Sequence, residues 1–267
     1  MNEAIVLTDL RVQARGTPLV RGVSLSVRAG ESVALLGHSG SGKSLTAAAI
    51  TGGLSRLLDA TGELTLNGTP VGLSSSFRPA RQVAAVQQDS SSALNPLTRV
   101  ARQLMVPLRD NGLTESDARQ RAGELLDACG IEDPHRVLRS YPAELSGGQR
   151  QRACIALALA CQAGILIADE PTTALDVVSQ AQVLDTLAAA RARAGLTLLF
   201  ITHDLAAASQ VCDRAVVMGA GQAVEEGMFA DLVERPQHPY TRELVDAVRT
   251  QPVFGILRRR DAGESVA

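Results

Sequence analysis

Eight consecutive residues, Gly37-His38-Ser39-Gly40-Ser41-Gly42-Lys43-Ser44, have the makeup of a loop that holds phosphate. Glycines at this spacing let successive backbone N–H groups turn toward one anion, and a helix following the loop would present unpaired N–H groups and its positive dipole end. Lys43 would reach the β- and γ-phosphates of a nucleoside triphosphate, and the Ser44 hydroxyl would ligate Mg²⁺. A second constellation is Ile165-Leu166-Ile167-Ala168-Asp169-Glu170, an apolar run ending in two carboxylates. Such runs suit strands covered on both faces, whose C-terminal ends are where open α/β sheets bind ligands. There Asp169 could hold Mg²⁺ through water, and Glu170 could take a proton from an attacking water. A third is Leu145-Ser146-Gly147-Gly148-Gln149, ahead of the apolar run 153–161. Ser146 suits a helix N-cap, and the two glycines leave backbone donors open to an anion. Each motif alone also fits a structural role, a tight turn or a pair of solvated acids; the three together do not.

Their order and spacing resemble the ATP-binding subunits of ABC transporters, and the resemblance covers nearly the whole chain. It implies an α/β fold: a P-loop NTPase (RecA-like) core with an N-terminal antiparallel β subdomain and an inserted helical subdomain. Further roles carry over with it. Gln88, in Val86-Gln87-Gln88-Asp89, would sense Mg²⁺, the γ-phosphate and a transmembrane partner. Asp176, in Ala174-Leu175-Asp176, would cross a dimer, and His203, in Phe200-Ile201-Thr202-His203-Asp204, would be the switch histidine near the γ-phosphate. Ser146 and Gly147, with Gly148 and Gln149 of the same motif, would contact ATP bound to the opposite subunit. ATP and Mg²⁺ are the implied cofactors. The implied partners are a second ATP-binding subunit in a homo- or heterodimer, membrane permease subunits, and a solute-binding protein through the complex.

The elements that must position these residues follow from the hydrophobic pattern. Residues 32–36 are apolar after the first, as a buried strand, and 45–50 are compatible with a helix. Residues 4–12 and 20–27 alternate like antiparallel strands joined at Arg15-Gly16-Thr17-Pro18; 62–66, ending at Asn67-Gly68, and 82–88 are further strands. From 89 to 163 the pattern changes to helices, at 98–109, 115–129 and 134–139, followed by the one that begins at Ser146. The nucleotide-binding core is thus expected at 1–88 and 164–250, the helical subdomain at 89–163 and a tail at 251–267. After Glu170 come a helix over 179–194, the strand leading to His203, and a hairpin of 215–218 and 222–225 around Gly219-Ala220-Gly221.

At 267 residues the chain exceeds the usual single-core size, so one core plus a subdomain is expected. A formal charge of −2 argues against a nucleic-acid footprint. No apolar run approaches the roughly 18 residues that span a bilayer, and Met1-Asn2-Glu3-Ala4 lacks the features of a secretory leader. The expected location is the cytoplasmic face of the cell membrane, reached through the permease partners. Cys129, Cys154, Cys161 and Cys212 show no Cys-x-x-Cys spacing, so neither disulfides nor zinc are expected. His38 occupies a variable loop position, while His135 and His238 sit beside prolines in turns, and none reads as a metal ligand. Arg258-Arg259-Arg260 reads as a solvated end, with contact to anionic lipid or a partner as the alternative. With aromatics at 2%, much of the core must be Ala, Val and Leu.

Two segments resemble the peptide and nickel importer branch: Leu94-Asn95-Pro96 after the glutamine loop, and His238-Pro239-Tyr240-Thr241 near the C-terminus. Many peptide-importer subunits continue into a cysteine-containing tail; this chain does not, and with Ser44-Leu45-Thr46 and the Arg15 turn it looks most like the short nickel-type subunits. The cargo would be dipeptides or oligopeptides, nickel or metal chelates. Two departures stand out. The family places an aromatic near Arg15 to stack on adenine, whereas this chain has no aromatic before Phe77; Arg15 could stack through its guanidinium plane. Leu45 stands where many relatives have threonine. A non-transport ATPase of the same superfamily, or a subunit for another substrate class, is the alternative; the former would normally carry a coiled-coil insertion or tandem units. A guanine-specific site lacks its Asn-Lys-x-Asp motif.

Overall fold

Antiparallel pairing begins at once. In a computed structural model that describes residues 2–73, 82–88, 93–173 and 175–249, β1 (Glu3–Ala14) and β2 (Thr17–Arg28) form a hairpin closed by Arg15-Gly16. Both turn residues are left-handed, with φ 49° and 80°, the conformation whose twist matches a two-residue hairpin. β4 (Leu58–Leu66) pairs on the other side of β1, and β5 (Thr69–Val71) completes a four-stranded sheet in the order β2-β1-β4-β5. The strand expected to begin at Gly62 starts earlier. Gly62 is not a boundary: at φ 127° it lies against the β1 backbone, where an added Cβ would stand 2.8 Å from the Thr8 carbonyl oxygen, beside a register shift between Thr8 and Arg11.

The chain divides into two compact units, Met1–Pro79 with Thr197–Ala267, and Ala80–Leu196. Besides the antiparallel sheet, the first unit holds β3 (Ser32–Leu36), wholly buried, between β8 (Thr197–Thr202) and β9 (Arg214–Gly219), parallel to both. β10 (Gln222–Met228) adds antiparallel to β9. The largely apolar and wholly buried sequences of β3 and β8 fit strands covered on two faces. Helix α1 (Lys43–Thr51) follows β3 through the phosphate loop. The core here is largely Ala, Val, Leu and Ile, with Phe200 and Phe229 the buried aromatics among the described residues. At the foot of β3, Ser32 donates to the Val211 carbonyl at 2.6 Å, and Arg214 pairs with Glu31 at 3.0 Å.

The second unit sets the parallel strands β6 (Val83–Val86) and β7 (Ile165–Asp169) among helices: α2 (Val100–Asp110), α3 (Glu115–Ala128), α4 (Pro134–Arg139), α5 (Gly147–Ala160) and α6 (Val177–Ala194). Thr114 and Asp133 cap α3 and α4 by accepting from Asp117 N–H at 3.2 Å and Arg136 N–H at 2.9 Å. His135 lies within α4 rather than in a turn, because Asp133 caps the segment and Pro134 opens it. α5 is buried along nearly its whole length, as its unbroken apolar run requires. All four cysteines are free thiols, and burial pushes Cys129 up to about 12. Phe77, Asp89-Ser90-Ser91-Ser92, Ala174 and the tail with Arg258-Arg259-Arg260 lie outside the described residues.

Candidate functional site

In the first unit, strand register decides which residues meet. Leu36 pairs with Thr202 on one side and Val217 on the other, so Gly37 and His203 leave adjacent strands at the same C-terminal edge. The phosphate loop turns there under tight constraint. Gly37 has φ 152°, and an added Cβ would lie 2.3 Å from the Met218 carbonyl oxygen; Gly42, at φ 100°, caps α1 with no side chain. Lys43 is 4% exposed and turns back into the loop, donating to the carbonyls of Gly37 at 2.7 Å and His38 at 3.0 Å. Ser39 and Gly40 form the exposed crown, and Ser44 is exposed in the first turn of α1. Ser41 Oγ is buried with no hydrogen-bond partner. An orphaned hydroxyl, a lysine and an uncapped helix start together fit an anion.

His203 is exposed after β8, ahead of helix α7 (Leu205–Val211). Asp204 fixes this corner: its carboxylate accepts from Ala206 and Ala207 N–H at 2.8 and 3.1 Å, and its own N–H donates to Thr202 Oγ at 3.0 Å. Arg15 is exposed at the tip of the β1–β2 hairpin.

The second unit repeats the register logic. Val86 pairs with Ala168, so Gln87 and Gln88 leave β6 beside Asp169 and Glu170 leaving β7. Glu170 is the one residue of this group in a sparsely populated backbone region, φ 47°, and the Thr173 hydroxyl donates to its carboxylate. A non-glycine residue held left-handed at a strand end is the kind of strain that accompanies a functional position. Ser146 caps α5 as its sequence promised, accepting from Gln149 N–H at 3.2 Å while Gln149 accepts from Ser146 N–H at 3.3 Å. Gly148 is pressed against α6, where a Cβ would stand 2.8 Å from Ser179 Oγ. The same hydroxyl donates to Asp176 at 2.7 Å and the Ser179 N–H at 3.0 Å, which holds the Asp176 carboxyl below the ordinary carboxylate range. Thus Ser179 ties the Leu-Ser-Gly-Gly-Gln start to Asp176.

The ABC transporter family matches residues 20–173. The chain belongs to that family. Curated relatives include the oligopeptide transport ATP-binding protein OppD of Mycobacterium bovis, 44% identical over 259 residues and covered over 93% of this chain and 42% of its own length. Another is the probable D,D-dipeptide transport ATP-binding protein DdpD of Escherichia coli, 42% identical over 249 residues, with 89% of this chain and 74% of that protein covered. A putative peptide import ATP-binding protein of Brucella melitensis is 41% identical over 261 residues, covering 93% and 76%. The chain therefore spans less than half the length of the mycobacterial relative. Among solved structures, the ATP-binding cassette MJ0796, a dimer in a post-hydrolysis state bound to ADP and Pi, superposes with a TM-score of 0.73 at 27% identity, over 84% of this chain and 98% of that one. cbiO1 of Clostridium perfringens shares the fold, with a TM-score of 0.76 at 24% identity over 97% and 100%. The α/β P-loop NTPase fold expected for an ABC transporter cassette is the one observed.

Three residues of this ABC transporter chain escape a reading of the sequence. Thr173 holds Glu170, Ser179 joins Gly148 to Asp176, and Tyr240 reaches the phosphate loop. Ser179 had a partial signal, standing three residues after a capping Asp176; Tyr240 is 202 positions from its partner and had none.

Proposed function

We propose that this chain is the ATP-hydrolysing subunit of an importer of dipeptides or oligopeptides, with ATP and Mg²⁺ bound between two such subunits. The observation that carries the reading is the phosphate loop itself: an uncapped helix start, Lys43 turned inward and Ser41 Oγ unsatisfied. Loop amides and Lys43 would bind the β- and γ-phosphates, Ser44 and Asp169 would hold Mg²⁺, and Arg15 would lie against adenine. Mg²⁺, when bound, supplies charge neutralisation of the phosphate oxygens. Glu170 takes a proton from water as the water oxygen bonds to the γ-phosphorus, and the bond from that phosphorus to the ADP oxygen breaks. Gln88 and His203 orient the water and the γ-phosphate. Ser146, Gly147, Gly148, Gln149 and Asp176 would complete the site of the opposite subunit.

The peptide cargo is supported by the names of the relatives above, which favour it over the nickel arm of the same branch. Among the described residues no helix is long and apolar enough to cross a membrane, in keeping with work at the cytoplasmic face through permease subunits, supplied by a solute-binding protein. The core is assigned to 1–88 and 164–250 and the helical subdomain to 89–163.

Glu170→Gln tests the chemistry. Single-turnover hydrolysis should fall by roughly 10²- to 10⁴-fold while ATP affinity is kept, since only the proton acceptor is lost. Turnover at the wild-type rate would sink the base assignment; loss of ATP binding would recast Glu170 as a structural support of the site.

A further inference from the structure

The segment Pro236-Gln237-His238-Pro239-Tyr240-Thr241 takes no part in the chemistry above, yet it is anchored at both ends. On one side, Glu225 of β10 accepts from the backbone N–H of Gln237 at 2.8 Å with one carboxylate oxygen and from that of His238 at 2.9 Å with the other. Tyr240 N–H donates to His238 Nδ1 at 3.2 Å, so the chain is fixed as it enters helix α9 (Pro239–Arg249), after the short helix α8 (Phe229–Glu234). On the other side, the half-buried Tyr240 reaches the phosphate loop. Its hydroxyl accepts from His38 N–H at 2.9 Å, and its ring meets the His38 imidazole edge-on, with centroids 5.4 Å apart and planes at 88°. Gly219 lies beside the ring: a Cβ there would stand 3.4 Å from Tyr240 Cδ1, in ordinary contact.

What Tyr240 grips is one peptide unit. The amide between Gly37 and His38 is planar, so its C=O and N–H are fixed relative to each other. The N–H of that unit goes to Tyr240, and its C=O accepts from Lys43 Nζ at 2.7 Å. The next carbonyl, that of His38, accepts from Lys43 Nζ and from Ser41 N–H at 3.2 Å. A rotation of the Gly37–His38 peptide would therefore move the oxygen that seats the Lys43 ammonium. The β9–β10 hairpin braces the same loop from below, through Met218 O against Gly37 and Gly221 N–H donating to Ser41 O at 3.2 Å.

We propose that Tyr240 is a positioning residue for ATP binding: by holding the Gly37–His38 peptide it sets the seat of Lys43, so that helix α9 fixes the phosphate loop before nucleotide arrives. The proposal rests on the reading that residues 37–44 bind the phosphates of ATP. It gives the His-Pro-Tyr-Thr segment a task independent of any cargo.

The test compares the full chain with Tyr240→Phe, which keeps the ring and removes the hydroxyl, Tyr240→Ala, which removes both, and Lys43→Ala. Affinity for MgATP and for adenosine, thermal unfolding, and backbone hydrogen exchange over residues 37–44 are measured for each. Losing one hydrogen bond to the loop should weaken MgATP binding about 3- to 10-fold in the Phe variant, and further in the Ala variant, with adenosine binding unmoved because no phosphate is engaged. Exchange over 37–44 should quicken, while the Phe variant keeps the wild-type unfolding temperature. MgATP affinity within twofold of wild type in the Phe variant overturns the proposal, whatever the exchange shows. So does an equal loss for MgATP and adenosine, which would mark a general loosening of the fold. Wild-type ATP affinity in Lys43→Ala would overturn the phosphate-loop reading itself.

Discussion

Two helices of this chain begin at a glycine-rich turn, and they are built in opposite ways. At α1 the chain arrives through Gly37, Gly40 and Gly42, all at positive φ, and no side chain caps the helix. A lysine and an unsatisfied hydroxyl stand beside that start. At α5 neither Gly147 nor Gly148 is left-handed, and the helix caps itself through Ser146 and Gln149. Gly148 is needed for closeness to Ser179, not for backbone freedom. Glycine therefore means an anion cradle in the first case and close packing in the second. The start of α5 is satisfied by its own side chains, and its exposed Ser146 and Gly147 are the residues proposed above to meet the nucleotide of an opposite subunit.

Substitutions that force the two starts to trade properties should break this contrast, with effects of falling size. Gly37→Ala places a methyl group on the Met218 carbonyl, which is backbone and cannot step aside. It should destabilise the chain by about 3 kcal/mol and abolish ATP binding, as followed by chemical denaturation and nucleotide titration. Gly148→Ala meets the Ser179 side chain, its Oγ at 2.8 Å and its Cβ at 3.2 Å, rather than backbone, so it should cost about 1–2 kcal/mol, and Ser179→Ala in the same chain, which removes only the Oγ, should recover part of that. ATP binding by the chain's own loop should survive. Additive losses in the double variant would show that Ser179 is not what excludes the methyl. Smallest is Ser146→Ala, which removes one helix cap worth about 1 kcal/mol in a denaturation midpoint. No shift there would mean that Gln149 alone secures the helix.

Much of this was legible because the motifs carry their own geometry. The phosphate loop, the Asp169 strand and the Ser146 cap are local, and each stands where its pattern placed it. The hairpins at Arg15-Gly16 and around Ala220 were marked by turn residues between alternating strands. Boundaries were less readable. Helix α6 begins at Val177 rather than 179 because Asp176 is its cap, and β4 runs through Gly62 because the bulge keeps pairing where the hydrophobic alternation fails. Contacts that join distant segments had no signature at all. The grip of Tyr240 on His38 depends on which strand edges the fold brings together, whereas that of Thr173 on Glu170 is local and rests on a left-handed residue that no periodicity announces.

The most direct test of the contrast is the affinity of the isolated chain for MgATP in two variants, Lys43→Ala and Ser146→Arg, each checked for folding by thermal unfolding. Lys43 supplies charge-assisted bonds of roughly 1.5–3 kcal/mol each to the phosphates, so its loss should take binding beyond detection. Ser146→Arg removes the α5 cap at a cost of about 1 kcal/mol and adds bulk and charge at the rim proposed to meet a partner, so the still-folded chain should bind ATP within about twofold of wild type, a difference of roughly 0.4 kcal/mol, while hydrolysis in the assembled dimer is lost. Retained binding in the lysine variant, or binding lost in a well-folded arginine variant, would contradict the division of labour between the two helix starts.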